Sequence, residues 1–199
     1  MATYNFPNIT PTRQSFELVT NTKTFKSPLS GAIQTVSRKG SYWKTTMTFS
    51  NLTGAQRSVL QAFISKLDGQ THRMRIRDYG SVRYGNASSG SPVVKGASQT
   101  GSTLLADGAS LSTSAYFAAG DYISFNNELH MVTADVDSDA SGNLSIPVAP
   151  PIRKPPNDNE PIEYSSPYGV FMMTNNPSWS TQSLYVSNIT IEAIEDVLA

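Results

Sequence analysis

The sequence predicts a mainly β protein: a discontinuous β-sandwich with one α-helix, plus a small inserted β-barrel-like domain. Three observations predict this class. Short segments of alternating apolar and polar residues recur between clusters of turn-forming residues. Apolar residues at helical spacing occur convincingly in one segment, residues 53–67. A run of small residues at 86–92 and a group of prolines at 147–156 enclose short candidate strands, which is typical of an inserted domain.

The first part of the sandwich is predicted to span residues 1–86. Its clearest strand, residues 42–50, places Trp43, Met47 and Phe49 on one face because successive side chains of a strand alternate between its two faces. The other candidate strands of this part cover residues 15–19, 31–37 and 72–77.

The helix is predicted at residues 53–67. Thr53 is a candidate N-cap, and Gln56 three residues later would complete a capping box. An apolar stripe at helical spacing indicates that the helix packs on a sheet; its members are Ala55, Val59, Phe63 and Leu67. We expect five residues to share one core: Trp43, Phe49, Val59, Phe63 and Ile191.

The inserted domain is predicted to span residues 87–155. Short candidate strands at 93–95 and 103–106 precede a meander of three strands that begins near Gly120. The third strand of the meander starts at Leu144. We expect the prolines that follow to end it, because proline cannot donate a hydrogen bond to a neighbouring strand.

The second part of the sandwich, residues 156–199, contains candidate strands at 167–173 and 183–195. The latter alternates clearly, with Ile189, Ile191 and Ala193 on one face. A strand this apolar needs a partner. The expected partner is the sheet of residues 1–86, which would make the main domain discontinuous.

Composition excludes several classes of protein. The 199 residues include no cysteine, hence no disulfide or thiolate zinc site, and the start of the chain does not resemble a signal peptide. No stretch is long and apolar enough to predict a membrane helix. These features favour synthesis in a reducing cytosol.

Charge is distributed unevenly although the net charge is zero. Residues 1–85 hold 12 lysines and arginines against 3 acidic residues, and residues 86–199 hold 3 against 12, giving +9 and −9. Three interpretations stay open: the fold interleaves the two halves, unlike surfaces meet between subunits, or the basic half contacts nucleic acid.

The basic half contains a row of arginines. Arg73, Arg75 and Arg77 alternate with Met74 and Ile76, so the three guanidinium groups are predicted to share one face of a strand. Such a row suits bidentate contacts with carboxylates of a neighbouring subunit, although a solvated strand face or a phosphate contact would have the same pattern. The candidate subunit-interface residues are Arg73, Arg75, Arg77 and Arg83.

Motifs for catalysis and cofactor binding are weak. Asp135, Asp137 and Asp139 alternate as in a calcium loop, but Ala140 stands where the loop needs glycine, so a turn is the preferred interpretation. The sequence has no Gly-x-Ser-x-Gly elbow, phosphate-binding loop or His-x-x-His pair. We therefore expect no enzyme, no metal and no cofactor.

Two rival functions are kept open. A carbohydrate-binding or receptor-adhesion module would line a sugar site with exposed aromatic residues, for which the candidates are Trp43, Trp179, Tyr116 and Tyr168. A hydrolase acting on cell-wall substrate would use His130 and Asp121.

Several segments resemble the distal tail and minor tail proteins of long-tailed bacteriophages (siphophages). They are FKSPLSG at 25–31, the Gln34-Thr35-Val36 and Gly40-Ser41-Tyr42-Trp43 segments, the helix end at 63–70, the meander at 120–153 and the closing segment at 187–195. The resemblance covers most of the chain.

The resemblance implies a structural virion protein, assembled in the host cytoplasm. Its β-sandwich would form a ring, expected to be a homohexamer, at the distal end of the tail tube. Its implied partners are further copies of itself, the tail tube protein, hub and tip proteins and the tape-measure protein, with genomic DNA passing through the channel. The extra β region here lies inside the sandwich sequence, in place of a large C-terminal domain, so carbohydrate or receptor binding at the tail tip is the alternative.

Overall fold

The computed structural model describes residues 1–38, 40–179 and 188–197. Over these residues the fold is mainly β, with 42% strand and one helix, and the predicted fold class is confirmed. The strands are β1 (Thr3–Asn5), β2 (Arg13–Val19), β3 (Thr22–Lys26), β4 (Ile33–Ser37), β5 (Tyr42–Phe49), β6 (Arg73–Ile76), β7 (Gly90–Val94), β8 (Gly101–Ala109), β9 (Tyr122–Phe125), β10 (Glu128–Val132), β11 (Leu144–Ile152), β12 (Gly169–Met173) and β13 (Ile189–Glu195); the helix is α1 (Gly54–Leu67).

The larger sheet combines strands from both ends of the chain, in the order β1-β6-β12-β13-β5-β2. All neighbours are antiparallel except β1 and β6. Strand β13 lies between β12 and β5, so the expected pairing of the chain's last strand with the first sheet is confirmed for Ile189–Glu195. The remainder of the predicted strand, residues 183–187, lies outside the described residues.

Helix α1 packs on this sheet through Leu60, Phe63, Ile64 and Leu67. The predicted capping box is present: Thr53 Oγ1 accepts from the Gln56 backbone N–H at 3.3 Å, and Gln56 Oε1 accepts from the Thr53 N–H at 3.0 Å. These contacts satisfy two backbone groups that the first turn leaves without helical partners. Asp68, in the left-handed conformation, ends the helix.

The core of the larger sheet contains four of the five predicted residues: Trp43, Phe49, Phe63 and Ile191. The prediction for Val59 is wrong, since its side chain is 52% exposed. The buried stripe is centred on Leu60, Phe63, Ile64 and Leu67, and Val59 lies roughly a quarter-turn from that centre. Helical spacing alone did not define how the helix is rotated on the sheet.

The smaller sheet is antiparallel, in the order β7-β8-β11-β10-β9, and has its own core. Strand β11 corrects an expectation, because it continues through Pro147, Pro150 and Pro151 to Ile152. The register with β8 shifts between Pro147 and Ile152, so the missing N–H groups fall where the ladder is irregular. Pro147 and Pro150 still contribute carbonyls, which accept from Thr133 N–H and His130 Nδ1.

The two sheets meet at a buried charged cluster formed by Arg153, Glu128 and Glu195. Arg153 Nη1 and Nη2 donate to Glu195 at 2.6 and 2.8 Å, and its Nε donates to Glu128 Oε1 at 3.2 Å. The side chains of all three residues are at most 7% exposed. These contacts connect strands of both sheets. The domain boundaries predicted at residues 86 and 155 stay predictions.

Strands β3 and β4 form a separate two-stranded hairpin. It follows β2 and precedes β5, which pair with each other, so the hairpin extends the end of that strand pair. The sequence did not predict β3, which is exposed throughout and has no buried face to create an apolar alternation. It did not predict β1 either, a three-residue edge strand.

Replacing Phe63 tests the helix–sheet contact. Phe63→Ala should lower the free energy of unfolding by about 3–5 kcal/mol, because it empties a buried aromatic site. Val59→Ala in the same helix is the matched control and should cost less than about 1 kcal/mol. Urea denaturation of both variants measures the difference; equal losses would contradict the observed rotation of the helix.

Acid should weaken the junction between the sheets. Burial raises the pKa of Glu128, but the nearby His130 and Arg153 outweigh it, so this pKa lies below its ordinary value of 4.5. A carboxyl with a lowered folded pKa contributes stability above its unfolded pKa and loses it as the pH falls through the folded value.

Between about pH 5 and about pH 3, the wild type should therefore lose more unfolding free energy than Glu128→Gln, measured by denaturation at each pH. Glu17→Gln, at an exposed position of β2, should follow the wild type. A Glu128→Gln curve parallel to the wild-type curve would contradict the assignment.

Candidate interface site: the arginine groove

Strand β6 positions the arginine row. Met74 and Ile76 are buried at 0% and 1% exposure, which turns Arg73 and Arg75, at the alternate positions, to the other face. Arg77 continues the alternation just beyond the strand and is exposed. The sequence predicted this alternation, but the surroundings of the three guanidinium groups differ.

Arg73 is used within the subunit. Its Nε forms an ion pair with Asp196, and both side chains are only 13–15% exposed. Its Nη1 also donates to the Gln70 carbonyl at 2.8 Å. A guanidinium held in this way ties β6 to the end of the chain and is not free to contact a partner.

Arg75 and Arg77 each stack on a tyrosine. The Arg75 guanidinium carbon lies 5.1 Å from the Tyr168 ring centroid, and that of Arg77 lies 4.9 Å from the Tyr79 ring centroid. Arg75 Nη1 donates to Asn5 Oδ1 at 2.9 Å. Among the residues that the structure describes, no carboxylate forms an ion pair with either arginine, and the buried Arg75 Nε has no hydrogen-bond partner.

These residues line an open groove of about 470 Å³, here called the arginine groove. Gln14 supports its edge: its Nε2 donates to the Arg77 carbonyl at 3.1 Å and its Oε1 accepts from the Tyr79 N–H at 2.8 Å. Burial raises the pKa of Tyr79, and the Arg77 charge offsets only part of that rise. The phenol therefore stays neutral near pH 7 and leaves both guanidinium charges uncompensated. The lining residues are Asn5, Phe6, Pro7, Asn8, Arg75, Arg77, Tyr79, Ser166 and Tyr168.

The fourth predicted interface residue, Arg83, is not part of the groove. Its guanidinium lies 5.3 Å from the ring centroid of Tyr164, which packs against the core of the smaller sheet. The sequence analysis named Tyr168 only as a candidate for a sugar site and did not name Asn5; the two residues lie about 90 and 70 positions from Arg75 along the chain. The structure thus reduces the row to two available arginines, Arg75 and Arg77.

The aromatic residues proposed for a sugar site do not form one surface. Trp43 and Tyr116 are buried at 3% and 0% exposure, and Trp43 Nε1 donates to the Leu129 carbonyl. Tyr168 lies under Arg75 in the groove, while Trp179 is 44% exposed. These four side chains therefore do not line a common sugar site.

The His130 and Asp121 side chains proposed for hydrolysis are also buried. His130 stacks on Phe125 and contacts Pro150 and Glu128. Asp121 accepts backbone N–H bonds from Tyr84, Gly85 and Ala118. Both side chains hold loops and strands in place and are inaccessible to a polymeric substrate.

The aspartates of the calcium-like segment organise loops. Asp139 accepts bonds from the Ser141 and Asn143 backbone and from Asn143 Nδ2, which closes the turn before β11. Asp135 and Asp137 each bind one loop N–H, of Ala119 and Ala115, through Oδ1. Within residues 1–38, 40–179 and 188–197, no cluster of three or more His, Cys, Asp or Glu side chains could hold a metal ion.

Comparison with known proteins adds no relative: no family model matches the chain, and the search of curated proteins found no match. Over the described residues, the structure has no helix with the length and apolar character that a membrane span requires.

The free energy of unfolding of two variants distinguishes the roles of Arg73 and Arg77. Arg73→Ala should lower the free energy of unfolding by about 1–3 kcal/mol, because it removes the ion pair that Arg73 forms with the largely buried Asp196 carboxylate. Arg77→Ala removes an exposed side chain and should change stability by less than about 0.5 kcal/mol. Thermal and urea denaturation give both values; a larger loss for Arg77→Ala would assign Arg77 a structural role.

Proposed function

We propose that this protein is a structural component of a bacteriophage tail and forms a ring at the distal end of the tail tube. The ring, a homohexamer, would connect the tube to the hub and tip proteins and leave a channel for the tape-measure protein and DNA. The resemblance of segments at 25–43, 63–70, 120–153 and 187–195 to siphophage distal and minor tail proteins supports this, as do two surfaces suited to assembly.

The observation that carries the proposal is the exposed hairpin β3–β4. Its apolar side chains face solvent: Phe25 is 55% exposed, Leu29 99%, Ile33 63% and Val36 46%. An isolated two-stranded hairpin is marginally stable in water, and soluble monomers rarely display apolar groups together in this way. The hairpin is therefore well suited to pack against another protein.

The arginine groove is the second surface. It is charged where the hairpin is apolar, so one subunit offers two unlike surfaces. A ring needs two different patches on each subunit, because each copy contacts its neighbours head to tail. The apolar side chains of the hairpin and the arginines of the groove come from the basic first part of the chain, and the acidic second part supplies complementary charge.

The proposal is tested in virions. Antibodies against this chain should label the distal end of purified tails, and cryo-electron microscopy of those tails should show a closed ring of the chain, expected to contain six copies. Its absence from virions, or its presence only in capsids, would overturn the proposal.

Charge placed on the hairpin should block incorporation into tails. Phe25→Asp with Ile33→Asp should leave folding intact, since both side chains are exposed, and should lower tail incorporation at least tenfold. Val59→Asp, at a similarly exposed apolar position on α1, is the matched control and should be incorporated normally. Normal incorporation of the hairpin variant would exclude the hairpin from the interface.

A further inference from the structure

Two rows of opposite charge have the same construction. Arg73, Arg75 and Arg77 alternate with buried Met74 and Ile76. Asp135, Asp137 and Asp139 are exposed and alternate with Val136 and Ser138, which are 4% and 6% exposed. Residues 73–76 form a strand and Val136 forms a bridge with Phe117; because alternate residues of an extended chain lie about 6.5–7 Å apart, the two rows are expected to have a similar spacing.

One member of each row is already engaged within its own subunit. Arg73 pairs with Asp196, and both oxygens of Asp139 accept bonds within its turn. The remaining members are Arg75 and Arg77 in one row, and Asp135 and Asp137 in the other. Each row thus keeps two available charges two residues apart.

The available aspartates retain acceptor capacity. Asp135 and Asp137 accept bonds through Oδ1 alone: Asp135 from the Ala119 N–H at 2.8 Å, and Asp137 from the Ala115 N–H at 2.7 Å and the Ser114 hydroxyl at 3.4 Å. In the described ranges, neither Oδ2 has a hydrogen-bond partner, and no ion pair joins these aspartates to Arg75 or Arg77 of the same copy. The loop bonds hold each carboxylate in place with one oxygen free.

We propose that the arginine groove binds the Asp135–Val136–Asp137 edge of a second copy of this chain, with Arg75 and Arg77 each facing one aspartate. The groove holds two fixed guanidinium planes, which suit carboxylates at a matching spacing. The contact joins different patches of the two copies, so it propagates head to tail and can close a ring. This inference rests on the proposed self-assembly.

The groove favours a protein carboxylate over a base or a sugar. A base or sugar ring would need an open tyrosine face for stacking, whereas guanidinium groups occupy faces of both Tyr168 and Tyr79. The tyrosines thus orient the arginines. Charge complementarity with the acidic second part of the same sequence favours another copy as the occupant.

Cysteine cross-linking tests the contact directly, since the chain has no native cysteine. One protein carries Ser166→Cys, in the groove, and the other carries Ala134→Cys, beside Asp135; both positions are exposed. Oxidation of the mixture should give a disulfide-linked heterodimer. The matched control pairs Ala134→Cys with Ser58→Cys on the exposed side of α1, and a yield no higher than this control would overturn the inference.

Charge-reversal variants then test whether the two arginines and the two aspartates form the contact. Arg75→Glu with Arg77→Glu in the groove protein should reduce cross-linking about tenfold or more, and Asp135→Arg with Asp137→Arg in the partner protein should restore it. Arg13→Glu with Lys44→Glu makes the same change in net charge elsewhere and should have no effect. Melting curves detect whether charge reversal disturbs folding. If it does, the double variant Arg75→Lys/Arg77→Lys, which keeps the positive charges, provides a second test.

The outcomes separate this inference from the proposed function. A tail ring in which these cysteines do not cross-link would overturn the inference alone. Cross-linking and rescue with a protein that is absent from tails would overturn the proposed function and support the contact. Loss of duplex-DNA binding in Arg75→Glu/Arg77→Glu with unchanged cross-linking would assign the groove to phosphate and overturn the inference.

Discussion

The geometry of the whole molecule depends on the buried guanidinium of Arg153. It donates to Glu195 of the larger sheet, to Glu128 of the smaller sheet and, at 2.9 Å, to the Ser41 carbonyl before β5. Glu195 in turn accepts from the backbone N–H groups of Trp43 and Leu129, one on each sheet. A buried ion cluster is costly unless every partner is present, so its geometry favours the observed placement of the two sheets, together with the packing of Tyr122 and Leu129 in the core of the larger sheet.

This constraint also bears on the uneven charge of the chain. Arg153, Glu128 and Glu195 all come from the acidic second part, so the junction buries one positive and two negative charges of that part and leaves most of its acidic residues outside the cluster. Arg73 and Asp196 join the two parts, whereas Arg75 and Arg77 have no carboxylate partner in the described residues. The fold therefore mixes the charges of the two parts only in places, and it leaves opposite charges on separate surfaces where another molecule can contact them.

Local sequence patterns predicted where helices and strands occur better than they predicted which residues surround those elements. The capping box of α1 and the alternation of β5, β6 and β13 follow from side-chain types a few residues apart. The exposure of Val59 and the continuation of β11 through three prolines depend on neighbours distant in the chain. The same holds for the site: the sequence identified the arginine row, but Tyr168 and Asn5, which orient Arg75, come from distant strands and loops. From the sequence, the aspartates at 135, 137 and 139 predict only a turn.

The free energies of ion pairing and apolar burial indicate how much each of the two proposed surfaces would contribute to assembly. Exposed ion pairs contribute about 0.2–1 kcal/mol each, so two pairs in the arginine groove cannot offset the several kcal/mol that association costs. Burying an exposed apolar side chain contributes about 1.5–3 kcal/mol, and the hairpin offers Phe25, Leu29, Ile33 and Val36. The hairpin would thus supply most of the free energy. The charges, which are directional and have a fixed spacing, would select the orientation and register of the neighbouring subunit.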